Sequence, residues 1–154
     1  MEKESTTAQI ILWRHATAEE GRDDLARPLT PHGHKQADRA GRWLNDHLPA
    51  NARVLVSPAI RAQQTAAALK RKFDIEPRIT PGSSTNQVLL AAAWPSVPCT
   101  LIVGHQPTLG QLAAILIAGK ESAWSVRKGA IWWIWMRPGH ARPTLRAVID
   151  PALL

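Results

Sequence analysis

Short apolar runs alternate along this chain with longer stretches in which apolar residues recur every three or four positions. That alternation predicts strands and helices in turn. The run over 9–13 reads as a first strand, and the polar stretch over 16–29 as a loop. Thr30 then offers a hydroxyl N-cap, with Pro31 at the first helical position, where its missing N–H costs nothing. Ala37, Ala40, Gly41, Leu44 and Leu48 follow at helical spacing, so a helix is predicted over 31–48. Residues 53–56 read as a second strand. Ser57-Pro58 repeats the cap-then-proline signal and opens a helix predicted over 59–72, whose basic end suits the helix dipole. A short strand is expected over 75–79, at a sheet edge because Pro77 has no N–H to give a ladder. A helix over 86–94, a strongly apolar strand over 99–103 ended by Gly104, and a helix over 107–118 closed by Gly119 come next. Strands over 130–136 and 145–149, around a turn at Pro138-Gly139, complete the chain.

Alternating strands and helices specify an α/β fold. The expectation is one three-layer α/β/α domain over 9–154 with a mostly parallel sheet, preceded by a flexible arm over 1–8. With 154 residues, 45% of them hydrophobic, the chain has material for one core without staples. Its single cysteine, Cys99, rules out an internal disulfide and a cysteine-rich metal site. It opens an apolar strand and reads as a buried, inert thiol, which fits a reducing compartment and a cytoplasmic setting. The first nine residues are charged and polar, without the apolar core of a secretory signal. The longest apolar runs, 112–118 and 130–136, are far too short to cross a bilayer.

The net charge of +7 raises the question of nucleic acid. The arginines are scattered, however, and Lys70, Arg71 and Lys72 form the one tight basic cluster. No zinc-finger spacing or aromatic–basic RNA signature accompanies them. A solvated basic surface with a preference for anionic substrates is the reading, with neither nucleic acid nor membrane as a partner.

Three polar constellations stand just past three predicted strands: Arg14-His15, Ser57-Pro58-Ala59-Ile60-Arg61 and Gly104-His105. Open α/β sheets bind ligands outside the carboxyl ends of their strands, so these residues can converge on one pocket. Arginine matches phosphate oxygens with planar, bidentate donors. Histidine serves as a neutral nucleophile or a charged donor. Taken singly, each histidine also reads as structural and Arg61 as a solvated helix residue; their joint occurrence makes the anion site.

The stretch Ile11-Leu12-Trp13-Arg14-His15-Ala16 resembles the Arg-His signature of the histidine phosphatase (phosphoglycerate mutase-like) superfamily. Arg27-Pro28-Leu29-Thr30 with Gly33 and Gln36-Ala37 is similar to its next block. Val54-Leu55-Val56-Ser57-Pro58, followed by Arg61-Ala62 and Gln64-Thr65, is similar to the block with the second arginine. Leu101-Ile102-Val103-Gly104-His105 is similar to the block with the second histidine. The blocks stand in order, and the short Arg-Pro-Leu-Thr form resembles the compact bacterial phosphohistidine phosphatases.

That resemblance implies a phosphoglycerate mutase-like fold and phosphoryl transfer without metal or cofactor. His15 would attack phosphorus, and Arg14, Arg61 and His105 would hold the phosphoryl oxygens as charge develops. Water would then release phosphate from His15. Arg27, in the loop, either reaches the phosphate or serves a structural ion pair. Two departures stand out. Ala16 replaces the family's usual glycine, and Arg78, within Pro77-Arg78-Ile79-Thr80-Pro81, stands where larger relatives place a glutamate as general acid. Glu19, Glu20, Asp23 and Asp24 are the substitutes at hand, though each also reads as part of a solvated loop. A phosphohistidine leaving group is already activated and needs an acid less than an alkyl ester does.

The remaining candidates point elsewhere. His32 and His34 sit two apart on a helix and face different ways, against a metal pair. His47 and His140 read as surface residues. Trp132, Trp133 and Trp135 read as sheet packing. Three functions stay open: a phosphatase for phosphohistidine in a protein, one for a small phosphorylated metabolite, and a non-catalytic phosphate-binding module. The short chain, with no long insertion over the pocket, favours the first.

Overall fold

A computed structural model describes residues 7–154. Among them six strands form one sheet: β1 (Ala8–Arg14), β2 (Arg53–Val56), β3 (Asp74–Ile75), β4 (Cys99–Gly104), β5 (Ile131–Met136) and β6 (Thr144–Ile149). The sheet order is β3-β2-β4-β1-β5-β6. The first four strands run parallel, β5 pairs antiparallel with β1, and β6 antiparallel with β5. The sheet is therefore mixed, and all three polar constellations belong to its parallel half.

Four α-helices, α1 (Pro31–His47), α2 (Ile60–Ala67), α3 (Thr85–Ala92) and α4 (Thr108–Ala118), cover both faces. Alternate residues of β1 explain the layers, because successive side chains of a strand point to opposite faces. Ile11 and Trp13 pack with Leu44 of α1 and Ala62 and Ala66 of α2. Ile10 and Leu12 pack with Val88 of α3 and Leu112 of α4. Both faces being buried, the central strands read as continuous apolar runs.

Local signals behave as their chemistry requires. The Thr30 hydroxyl accepts from the Gly33 N–H at 2.9 Å and starts α1 at Pro31. Ser84 and Gln87 form a capping box that starts α3, and Gly119, at φ 81°, ends α4. Gly33 has a second task. A Cβ there would run into the Thr17 carbonyl, so the close approach of loop and helix demands glycine.

Two elements differ from expectation. The helix expected over 59–72 with Ser57 as its cap begins at Ile60, with Ala59 at the N-cap and no side-chain cap bond, and ends at Ala67. Its last turn tightens into N–H bonds to the third residue back, from Ala68, Leu69 and Lys70, which carries Leu69 into the core. The basic residues beyond it serve another helix: Arg71 donates to the carbonyls of Asn45, Leu48 and Pro49 at the end of α1. The strand expected over 75–79 is reduced to β3. Pro77 instead begins a 3-10 turn, Pro77–Ile79, and Ile79 is buried. Of the arm expected over 1–8, the first six residues lie outside those described, and β1 begins at Ala8.

Candidate active site

The pairing register brings the three constellations together. β4 lies between β1 and β2, with Arg14 opposite Gly104 and Val56 opposite Val103. The three strands end level, so His15, Ser57 and His105 emerge side by side at one sheet edge. The ladder continues past the strands: the His15 N–H donates to Gly104 O at 3.1 Å and the Ser57 N–H to Val103 O at 3.0 Å. Arg61, in the first turn of α2, returns over the same edge.

Arg14, His15, Arg27, Arg61 and His105 all line one cavity of about 280 Å³. The sequence-selected residues therefore converge. Their geometry is mutual. His15 and His105 stack obliquely, ring centroids 5.1 Å apart. Arg61 sits between them, its Nε 3.4 Å from His15 Nε2 and its Nη2 3.4 Å from His105 Nδ1. His15 is 7% exposed, Arg61 3% and His105 4%, so the cluster is buried.

Hydrogen bonds assign the tautomers. His15 Nδ1 lies 2.7 Å from the Ala16 carbonyl, which only accepts, so Nδ1 carries the proton and Nε2 a lone pair. His105 Nδ1 faces a guanidinium that only donates, so the proton sits on Nε2, which donates to Ser57 Oγ at 2.6 Å. Burial pushes the His15 pKa down to about 4 against the Ala16 hydrogen bond, which works the other way, and the charges of Arg61, Arg14 and Arg27 add to the lowering. Burial, then His15 and Arg61, take His105 to about 3. Both rings are neutral near pH 7.

The arginines are held differently. Arg14 Nη1 donates to the Val126 carbonyl at 2.9 Å, while its buried Nε has no hydrogen-bond partner among the described residues. Arg61 Nη1 donates to the Asp24 carbonyl at 2.6 Å and Nη2 to Asp24 Oδ2 at 3.2 Å. Arg27 forms the structural ion pair, with Asp24 Oδ1 at 3.0 Å, and also lines the cavity.

Ala16 is fully buried with Leu29 and Ala37, and its N–H donates to Thr65 Oγ1 at 3.0 Å. Of the four acid candidates, Glu20 alone lines the cavity. Burial works to raise the Asp24 carboxyl, but its bonds from Arg27 and Arg61 prevail and lower it, which makes Asp24 an anchor and a poor proton donor. Arg78 is turned outward in an ion pair with Glu76. His47 stacks on Trp43 at 4.3 Å rather than standing free. Trp133 is buried and packs edge-on against Trp43; Trp132 and Trp135 are half-buried.

Sequence reasoning missed Lys128, Gln106 and Pro81 in the cavity wall, and the roles of Ser57 and Asp24. Lys128 arrives through a turn in which the Gly129 N–H donates to the carbonyls of Arg14 and His15; Gly129 has φ 76°. A Lys-Gly pair just before a strand was the available signal, and Asp24 three residues before Arg27 was the other. Among the described residues no group of three His, Cys, Asp or Glu is placed to hold a metal ion, and no helix is long and apolar enough to cross a membrane.

Residues 10–83 match the family model of the histidine phosphatase superfamily (branch 1). The chain is 36% identical over 124 residues to the phosphohistidine phosphatase SixA homolog of Haemophilus influenzae, covering 70% of this chain and 76% of the relative. It is 31% identical over 122 residues to phosphohistidine phosphatase SixA of Escherichia coli, covering 73% and 76%. A solved structure of the protein histidine phosphatase SixA complexed with tungstate superposes with a TM-score of 0.79 at 27% identity, covering 94% of this chain and 98% of that one.

Proposed function

This chain belongs to the histidine phosphatase superfamily and is a phosphatase, and from that premise we propose that it dephosphorylates phosphohistidine in a protein through a covalent phosphohistidine on its own His15. The observation that carries the reading is the lone pair on His15 Nε2, directed into an arginine-lined cavity by the Nδ1 bond to Ala16. A neutral imidazole needs no base to become a nucleophile.

In the first step the His15 Nε2 lone pair forms a bond to phosphorus as the bond from phosphorus to the leaving nitrogen breaks. The substrate ring is already protonated from solvent on its other nitrogen, so the electron pair stays on an imidazole that leaves neutral. The transferring group is loosely bonded at the transition state, so catalysis is chiefly positioning and charge stabilisation. Arg14 and Arg61, held by hydrogen bonds, supply fixed positive charge in the site, and the exposed Lys128 adds charge at its rim. The Arg14 guanidinium, its Nε unpartnered among the described residues and closed off from solvent, has to turn to offer that donor to a phosphoryl oxygen. In the second step water attacks phosphorus, the phosphorus–Nε2 bond breaks, its pair returns to His15, and inorganic phosphate leaves.

Support for a phosphohistidine substrate comes from two sides. Relatives carrying that name share over 30% identity with this chain. The cavity also lacks a buried carboxylate among its described walls, Glu20 being exposed. An imidazole leaving group, basic only to about pKa 6.5, tolerates that lack; an alkoxide does not. A cytoplasmic setting belongs to the same reading. The lone thiol, Cys99, is buried and pushed up to about 11 by that burial, which suits a protein that forms no disulfide.

The test is a rapid quench with a phosphohistidine protein labelled on phosphorus. The expected result is an acid-labile phosphate on the enzyme that is absent in His15→Ala, with kcat/KM lowered at least about a thousandfold. Near-full activity in His15→Ala would overturn the reading.

A further inference from the structure

A second cavity, of about 430 Å³, adjoins the one that holds His15. Arg14 and Lys128 line both, so the two cavities are neighbours that share this wall. Away from Arg14 and Lys128, the second cavity is bounded by His32 in the first turn of α1, Gln36 one turn on, and Ser125 in the segment before β5.

Its polar groups are mostly donors. Lys128 enters no ion pair, and Ser125 Oγ and the His32 ring enter no side-chain hydrogen bond, among the described residues. Gln36 Oε1 accepts from both the Thr17 N–H and the Thr17 hydroxyl, at 2.9 and 2.8 Å, which turns its amide nitrogen to the other side. The one carboxylate in the wall, Asp150, is spent: Oδ2 accepts from Arg127 Nη1 at 3.0 Å and Oδ1 from the Ala152 N–H at 2.9 Å. Unspent donors beside two cations favour a negatively charged occupant.

The geometry points to this cavity as a subsite for a second anionic group of the substrate, next to the phosphoryl group being transferred. The inference rests on the proposed reaction at His15 and adds the recognition that selects among its substrates. A carboxylate beside phosphohistidine in a protein and a second charge on a small ester present the same chemistry. A substrate lacking the group would be turned over with a lower kcat/KM, because binding energy from a non-reacting part is lost.

Two matched substrate pairs test this: phosphohistidine peptides with acidic or neutral flanking residues, and aryl phosphates with a carboxylate or an uncharged ester on a flexible arm. The wild type is expected to prefer the anionic member of at least one pair by about tenfold. Ser125→Asp is expected to abolish that preference and Ser125→Asn to retain it. Preference confined to the peptides assigns the subsite to a protein carboxylate; preference confined to the aryl pair assigns it to a small ester. A ratio near one in both pairs, or a preference that survives Ser125→Asp, overturns the inference. Failure of the underlying reaction is read separately, as turnover of the neutral peptide by His15→Ala.

Discussion

Arg61 holds its Nε 3.4 Å from His15 Nε2. A permanent donor thus faces the lone pair that is to attack phosphorus. The contact favours the neutral ring in the resting site, and an entering phosphoryl group can take over the guanidinium as it arrives. The other two nitrogens of Arg61 reach Asp24 and His105, so one fork ties the loop, the nucleophile and the second histidine together.

Arg61→Lys keeps the charge and loses the fork. A lysine cannot span Asp24, His15 and His105 at once. We expect kcat to fall about 10²–10³-fold, the scale of removing a fixed transition-state donor. Steady-state kinetics with an aryl phosphate measures it, and a change below threefold would mean that point charge alone suffices.

Both ring pKa values lie below the ordinary value of about 6.5. Between that value and about 4 for His15, or about 3 for His105, the unfolded chain binds more protons than the folded one. Their stability contribution is therefore complete above pH 6.5 and is lost as pH falls through the folded values. Urea midpoints should drop from pH 7 to pH 4.5, and more steeply than in His105→Gln. Nitrogen chemical shifts should show His15 Nε2 unprotonated down to about pH 5; a midpoint at 6 or above would contradict the assignment.

Glu20 is the one acid candidate in the cavity wall, and it is exposed. Without a buried, positioned acid, phosphoramidates should react faster than alkyl phosphates by the usual worth of acid catalysis, about 10²–10⁴. Single-turnover phosphorylation of the enzyme reads that margin directly. Glu20→Gln should leave it unchanged. If the variant slowed alkyl phosphates alone, Glu20 would be the acid.

Gly33→Ala puts a methyl group into the Thr17 carbonyl. The loop over 16–29 would have to lift from α1, at a cost of about 1–3 kcal/mol. Thermal melting should report the loss. Activity should fall further than stability does, because the same loop carries Asp24 to Arg61.

Chelators should leave turnover unchanged, since among the described residues no three His, Cys, Asp or Glu are grouped to hold a metal and the two histidines of the cavity stand against a guanidinium. Activity lost in chelator and restored by a divalent ion would show otherwise.

What the sequence determined by itself was local. Thr30-Pro31 and Gly119 mark boundaries because caps, prolines and left-handed glycines act through their own backbone neighbours, whereas Ser57 caps no helix and its hydroxyl serves His105. Apolar runs marked the central strands because both sheet faces are covered. The convergence of Arg14, His15, Arg61 and His105 was legible because three of them stand at strand ends and Arg61 opens the helix after one, and a parallel sheet gathers strand ends at one edge. Other features waited for the tertiary structure. The register that levels β1, β2 and β4 depends on pairing between segments tens of residues apart. The early end of α2 follows from burying Leu69, a demand that helix propensity does not carry. Lys128 reaches the cavity only because the Gly129 turn bonds back to Arg14 and His15. Asp24 becomes an anchor only because the loop folds over Arg61. Each is a contact between residues distant in the chain, and its energy exists only once both sides are in place.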